Sequence, residues 1–132
     1  MIEAQTDYEV ALASKEEYLN GLYLEKHQDA ELAVLKAQEG VRLAQVQYES
    51  GRRLDELGFV TPLQREADRF ALKRSQDELH AAQVELEVLE KYSKAKQLKL
   101  LDSRIAIAAA RLKSREHILR IDQEELKNIQ EN

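Results

Sequence analysis

At 132 residues with 34% charged, four Gly, one Pro and no Trp, the chain carries too little aromatic mass for a thick globular core. Its 20 Lys and Arg against 25 Asp and Glu give a net charge of −5 with both signs interspersed, which disfavours nucleic acid as the main partner because no basic stripe can neutralise phosphates. The absence of Cys excludes disulfides and thiolate metal sites, and no apolar run is long enough to span a bilayer.

Ala, Glu, Lys, Leu, Arg and Gln dominate, the composition of long helices or coiled coil. The opening Met1-Ile2-Glu3-Ala4 lacks the basic start and apolar core of a signal peptide. A first helical segment is predicted near 3–19. It ends at Asn20-Gly21, because Gly inside a helix costs about 1 kcal/mol relative to Ala. A second segment follows near 22–57. Gly58 then suits the left-handed position that closes a helix. Thr61 with Gln64 makes a capping box, and Pro62 falls at the first helical position, where its missing N–H costs nothing. A stop and a start this close leave only a tight reversal with an apolar tip.

The third segment is predicted near 62–91 and the fourth near 95–130, separated by a second weak point at Tyr92-Ser93-Lys94-Ala95-Lys96. The expected fold is all-α: a long antiparallel coiled-coil helical hairpin with a break or shoulder in each arm. The chain is read as one hairpin domain over 1–132, with arms at 3–57 and 62–130 and a tip at 58–61.

Heptad stripes pair the arms. The second segment reads Ala30, Val34, Ala37, Val41, Ala44, Tyr48, Gly51, and the third reads Leu72, Ser75, Leu79, Ala82, Leu86, Leu89. Antiparallel packing sets an a position against a d position. This gives Val34/Leu89, Ala37/Leu86, Val41/Ala82, Ala44/Leu79, Tyr48/Ser75 and Gly51/Leu72, mostly small against large, an alternation that lets layers interdigitate. The same register continues through Leu22/Leu101, Tyr18/Ile105, Ala11/Leu112 and Ala4/Leu119, with looser polar layers at Lys15/Ala108 and Tyr8/Arg115. An arm paired from Ala4 to Leu57 would be about 80 Å long at 1.5 Å per residue. Leu126 and Ile129 continue the heptad beyond any partner in the first arm, so the chain is expected to be a fragment of a longer one, with Met1 an expression start.

A second stripe, Leu24, Leu35, Val46 and Leu57 with Leu32, Leu43 and Leu54 beside it, recurs every 11 residues, a period that stays nearly in line on a straight helix. A two-helix hairpin cannot bury two stripes of one helix. Either the first or fourth segment folds back over it, or another chain covers it.

No constellation of catalytic residues is present, and no enzyme activity, cofactor or metal is expected. His27, His80 and His117 lie far apart and read as surface or seam-edge residues. Glu87 and Lys91 have the spacing of an ordinary helix-face ion pair. Tyr8, Tyr18, Tyr23, Tyr48 and Tyr92 read as packing residues. The tip is the more specific signal: Phe59 and Val60 occupy its outermost part, with Arg52, Arg53, Leu54 and Leu57 just below. Two readings stand. Phe59 and Leu63 fold down to plug the hairpin end, or the end docks into a helical partner by apolar and cationic contacts.

The run Tyr48-Glu49-Ser50-Gly51-Arg52-Arg53-Leu54-Asp55-Glu56-Leu57-Gly58-Phe59-Val60-Thr61, followed by Gln64, Glu66, Ala67 and Asp68, resembles the hairpin of HlyD-type periplasmic adaptors, also called membrane fusion proteins. Their hairpins turn through Gly-x-[Val/Ile]-[Ser/Thr], with an acidic residue in the next helix's first turns. The stretches 17–21, 66–71 and 86–92 are similar to a subgroup with long hairpins. The resemblance implies a periplasmic, cell-envelope setting, with anchoring to the inner membrane through parts outside this chain. It also implies assembly of several adaptors around an inner-membrane transporter, and contact of the tips with an outer-membrane duct of the TolC type. Duct-binding adaptors carry Arg-x3-Leu-x6-Ser. Arg53 and Leu57 match that motif, while Gln64 stands at its Ser position and the hydroxyl arrives early, as Thr61. On the resemblance, the partner-binding tip comprises Arg52, Arg53, Leu57, Gly58, Phe59, Val60 and Thr61. Two other readings remain open: a cytoplasmic coiled-coil scaffold or protruding arm unrelated to transport, and a spectrin-like three-helix repeat.

Overall fold

Residues 2–131 are described by the structure, a computed structural model. The chain forms α1 (Ile2–Glu17), α2 (Tyr23–Glu56), α3 (Pro62–Val88) and α4 (Lys94–Glu131), with no strand among the described residues. The all-α helical hairpin read from the sequence is the observed fold, and among the described residues the reversal falls at 57–61.

Neither weak point breaks the helix. Each becomes a single wide turn of π-helix, Tyr18–Leu22 between α1 and α2 and Leu89–Ser93 between α3 and α4. In the first, the Tyr23 N–H reaches back five residues to the Tyr18 carbonyl. A π turn keeps backbone donors satisfied while admitting one extra residue, so it absorbs a poor helix former such as Gly21 without opening the chain.

Packing divides the chain into two units, Met1–Leu24 with Lys94–Asn132, and Glu25–Ser93. In the first, α1 runs antiparallel to α4. Tyr18, Leu101 and Ala108 are buried there, Lys94 Nζ sits 4.5 Å over the Tyr23 ring, and Lys15 Nζ reaches Asp102 Oδ1 at 2.7 Å. Because the first segment pairs with the last, and Leu35 and Val46 on α2 stay 61% and 56% exposed, the three-helix repeat is excluded.

In the second unit, α2 and α3 pack along the predicted seam. Ala30, Val34, Ala37, Val41, Ala44 and Tyr48, with Leu72, Ser75, Leu79, Ala82, Leu86 and Leu89, are all half-buried, and Gly51 is buried. Among the described residues, no large side chain is fully enclosed. Stability therefore comes from many shallow layers rather than from depth.

The seam is right, but its register is one helical turn from the sequence-derived pairing. Gly51 stands against Asp68 rather than Leu72, Ala30 lines a groove with Leu89, and Ala11 lines one with Ala108. Positions i and i+4 share a helix face, so sliding one arm by a turn keeps the same apolar residues in the seam. Polar residues decide between the two. The predicted register would oppose the Asp55 and Asp68 carboxylates, whereas the observed one brings Arg65 Nε to 3.7 Å from Asp55 Oδ2.

Candidate functional site: the hairpin tip

The α2 helix is terminated by two backbone bonds. The Gly58 N–H donates to the Asp55 carbonyl at 2.9 Å, and the Phe59 N–H to the Leu54 carbonyl at 2.9 Å, the paired bonds of a Schellman ending. Gly58 takes φ +79°, a left-handed conformation that an L side chain resists. Three residues later α3 starts. Thr61 is its N-cap in extended conformation, its Oγ1 accepts from the Gln64 N–H at 3.1 Å, and Pro62 opens the helix. Only this half of the predicted capping box forms. The Gln64 side chain turns the other way and donates from Nε2 to Asp68 Oδ1 at 3.2 Å.

This fixed backbone presents apolar side chains to solvent. Phe59 is 77% exposed and Leu63 is 81% exposed, so they do not plug the hairpin end. Val60 is the half-buried residue of the turn. Leu57 projects beside Phe59 and is also largely exposed. A tip held by only a few residues has no layer above it, so one small branched side chain closes the end and the larger ones point outward.

Below the turn, Arg52 Nη2 pairs with Glu49 Oε2 at 3.2 Å on the same helix. Arg53, in the last turn of α2, is exposed and has no acidic partner among the described residues. The predicted residues Arg52, Arg53, Leu57, Gly58, Phe59, Val60 and Thr61 thus cluster at one end of the second unit. Gly58 and Thr61 fix its backbone there, and Arg53, Leu57 and Phe59 supply its accessible surface.

Beneath the tip lies a polar clasp absent from the sequence-based site. The Arg65 guanidinium lies 4.8 Å over the Tyr48 ring, and its Nη1 donates to the Tyr48 carbonyl at 3.1 Å. Asp68 is 5% exposed; one carboxylate oxygen takes the Gln64 bond, and the other has no hydrogen-bond partner among the described residues. That second oxygen is packed against the Cα of Gly51, where a side chain would collide with it. The clasp was readable in principle. Arg65 and Asp68 extend the Leu72, Ser75, Leu79 heptad backwards, and Asp55 extends Tyr48 and Gly51 forwards, so both arms carry polar seam layers near the tip.

Elsewhere, His27 sits at the seam edge as predicted, with Nδ1 2.8 Å from Glu31 and Nε2 2.8 Å from Glu90. Glu87 and Lys91 form the expected helix-face pair at 2.8 Å. No group of three or more His, Cys, Asp or Glu among the described residues is placed to hold a metal ion. Among the described residues, no helix is long and apolar enough to cross a membrane.

No protein-family model, curated protein or solved structure matches this chain.

Proposed function

We propose that this chain is the helical hairpin of an HlyD-type periplasmic adaptor, a non-enzymatic spacer and docking element of a cell-envelope export complex. The observation that carries the reading is the tip. A Gly58-Phe59-Val60-Thr61 turn is capped on both sides by backbone and side-chain bonds, yet Phe59 and Leu63 stay exposed. Exposed large apolar side chains on a stiff support lose little entropy when a partner covers them, which suits a docking point. Arg53 and Leu57 add a cation and further apolar surface.

In this role the hairpin spans a gap geometrically. Its base joins parts of the adaptor outside this chain, which hold it at the inner membrane beside the transporter. Its flanks meet neighbouring adaptors, and its tip meets an outer-membrane duct.

Replacing Phe59 and Val60 with Asp in the full-length parent protein tests the docking role. Export should be abolished while circular dichroism of the hairpin keeps its helicity. Unchanged export would remove the tip from the mechanism. The parent reading frame tests the setting: short β-rich segments on both sides with a membrane anchor or signal upstream support an adaptor, and continuation into a cytosolic protein overturns it in favour of a scaffold or arm.

A further inference from the structure

The first unit carries an open groove along one side of the α1–α4 pair. Its two stretches share Asp7 and Arg111, so they run into one another. Small residues lie at its base: Ala4 and Ala108 are buried and Ala11 is half-buried. Val10 on α1 and Ile107 and Ile118 on α4 stand beside them and remain exposed. From Arg104 to Ile118 the groove runs about 21 Å at 1.5 Å per residue.

The two walls are oppositely charged. Glu3 and Asp7 stand on the α1 side, and Arg104, Arg111 and Arg115 on the α4 side. None of the five makes an ion pair among the described residues, and Lys15 with Asp102, which do pair between α1 and α4, line neither stretch. The sequence explains why they are left over. No Asp or Glu lies three or four residues from any of these arginines, and no Lys or Arg lies three or four from Glu3 or Asp7. In the second unit, by contrast, Arg42, Arg52, Arg69 and Arg74 each pair with a carboxylate on their own helix. Each wall even sets like charges four residues apart, Glu3 with Asp7 and Arg111 with Arg115, a spacing that destabilises a helix standing alone.

We propose that this groove receives a third helix, supplied by a different polypeptide. Its flank beside α1 carries Lys or Arg four residues apart, to meet Glu3 and Asp7. Its flank beside α4 carries Asp or Glu at spacings of four and seven, to meet Arg115, Arg111 and Arg104. An apolar stripe between the flanks rests among Val10, Ile107 and Ile118. Small residues at the base allow the close approach that helix packing needs, with axes about 8–10 Å apart. A bilayer surface fits poorly, because it is flat and because Glu3 and Asp7 repel anionic headgroups. The same two carboxylates repel nucleic acid. A second copy of this chain lacks the acidic flank, since no three of its carboxylates fall at spacings of four and seven in either order. Complementary charge of this kind fixes orientation and partner choice more than it adds affinity.

The probe is a stapled helical peptide of about 20 residues, long enough to span the groove. It is made in two forms of identical composition, one with the charge order given above and one with its flanks exchanged. Fluorescence anisotropy of each labelled peptide is followed as the purified chain is added. The matched form should bind about tenfold more tightly than the exchanged form, several exposed charge pairs acting together, and the difference should shrink at high salt. Arg111→Glu with Arg115→Glu should weaken the matched form about tenfold, and Ile107→Asp should weaken both forms. All three positions are exposed, so circular dichroism should show unchanged helicity. Equal affinity of the two forms, absence of binding, or binding that survives these substitutions would overturn the proposal. Self-association of the chain that Ile107→Asp abolishes would overturn it in favour of a second copy. Binding to phosphatidylglycerol vesicles that the double Glu variant loses would overturn it in favour of a membrane surface. The groove lies in the first unit and the tip in the second, so Phe59→Asp should leave peptide binding unchanged and the two readings fail separately.

Discussion

Gly51→Ala should destabilise the hairpin, against the ordinary rule that replacing a helical Gly with Ala stabilises by about 1 kcal/mol. Gly40→Ala, in the same helix, should follow the rule. The difference lies in what a Cβ would meet. At Gly40 nothing lies within 4 Å, whereas at Gly51 the new carbon would collide with Asp68 Oδ2 and sit 3.3 Å from Arg65 Nη1. Asp68 is too buried to move freely, and its other oxygen is engaged by Gln64. Overpacking a closed site costs about 1–3 kcal/mol. Displacing the carboxylate loosens a hydrogen bond worth about 1 kcal/mol. After the helix-propensity gain, the net loss is about 1–3 kcal/mol.

For a unit the size of Glu25–Ser93, 1 kcal/mol corresponds to about 4–8 °C in Tm. Thermal and urea unfolding followed by circular dichroism should therefore move the two variants in opposite directions. Adding Asp68→Ala to Gly51→Ala should recover part of the loss, because the obstacle is gone. If Gly51→Ala stabilises as much as Gly40→Ala, Asp68 is not held against Gly51 and the observed register is wrong.

Three further predictions concern the turn and the first unit. Thr61→Ala removes the bond to the Gln64 N–H and should cost about 1 kcal/mol, while Gly58→Ala should cost a similar amount because it strains a positive φ; both are read from urea unfolding of the purified chain. In the first unit, burial, and after it the neighbouring Tyr23, push the Tyr18 phenol above its ordinary 10.0. The folded state thus holds that proton more tightly than the unfolded one. Stability from this group is complete below pH 10 and falls as pH rises above it; Tyr18→Phe should flatten the alkaline limb of a Tm-against-pH curve.

Much of the architecture was legible because its signals are local. Gly58, Thr61 and Pro62 dictate backbone conformations at their own positions, so the reversal was readable to the residue. The seam followed from heptad spacing for the same reason. The interruptions were legible in place but not in kind, since Asn20-Gly21 weakens a helix but does not say whether the chain opens or widens into a π turn. The register slipped because a one-turn shift changes no residue's face, only its partner. Partner identity rests on Arg65, Asp55 and Asp68, whose value appears only once both arms are placed together. The outward positions of Phe59 and Leu63 were one of two open readings, because burial at a tip depends on how much space the turn leaves beneath it.

The clasp and the tip bear on each other. A hairpin end with no layer above it would fray, and fraying would scatter the exposed side chains over many positions. Arg65 prevents this by reaching across the seam to Tyr48 and Asp55 directly below the turn, while the Schellman bonds and the Thr61 cap fix the turn itself. The apolar surface at the tip is thereby carried on a backbone with few alternatives. Such pre-organisation raises affinity by lowering the ordering cost of binding rather than by adding contacts. On the proposed docking role, loosening the clasp should weaken binding at the tip even though Arg65 lies beneath its exposed side chains. That consequence separates a tip that works through rigidity from one that works through its exposed side chains alone.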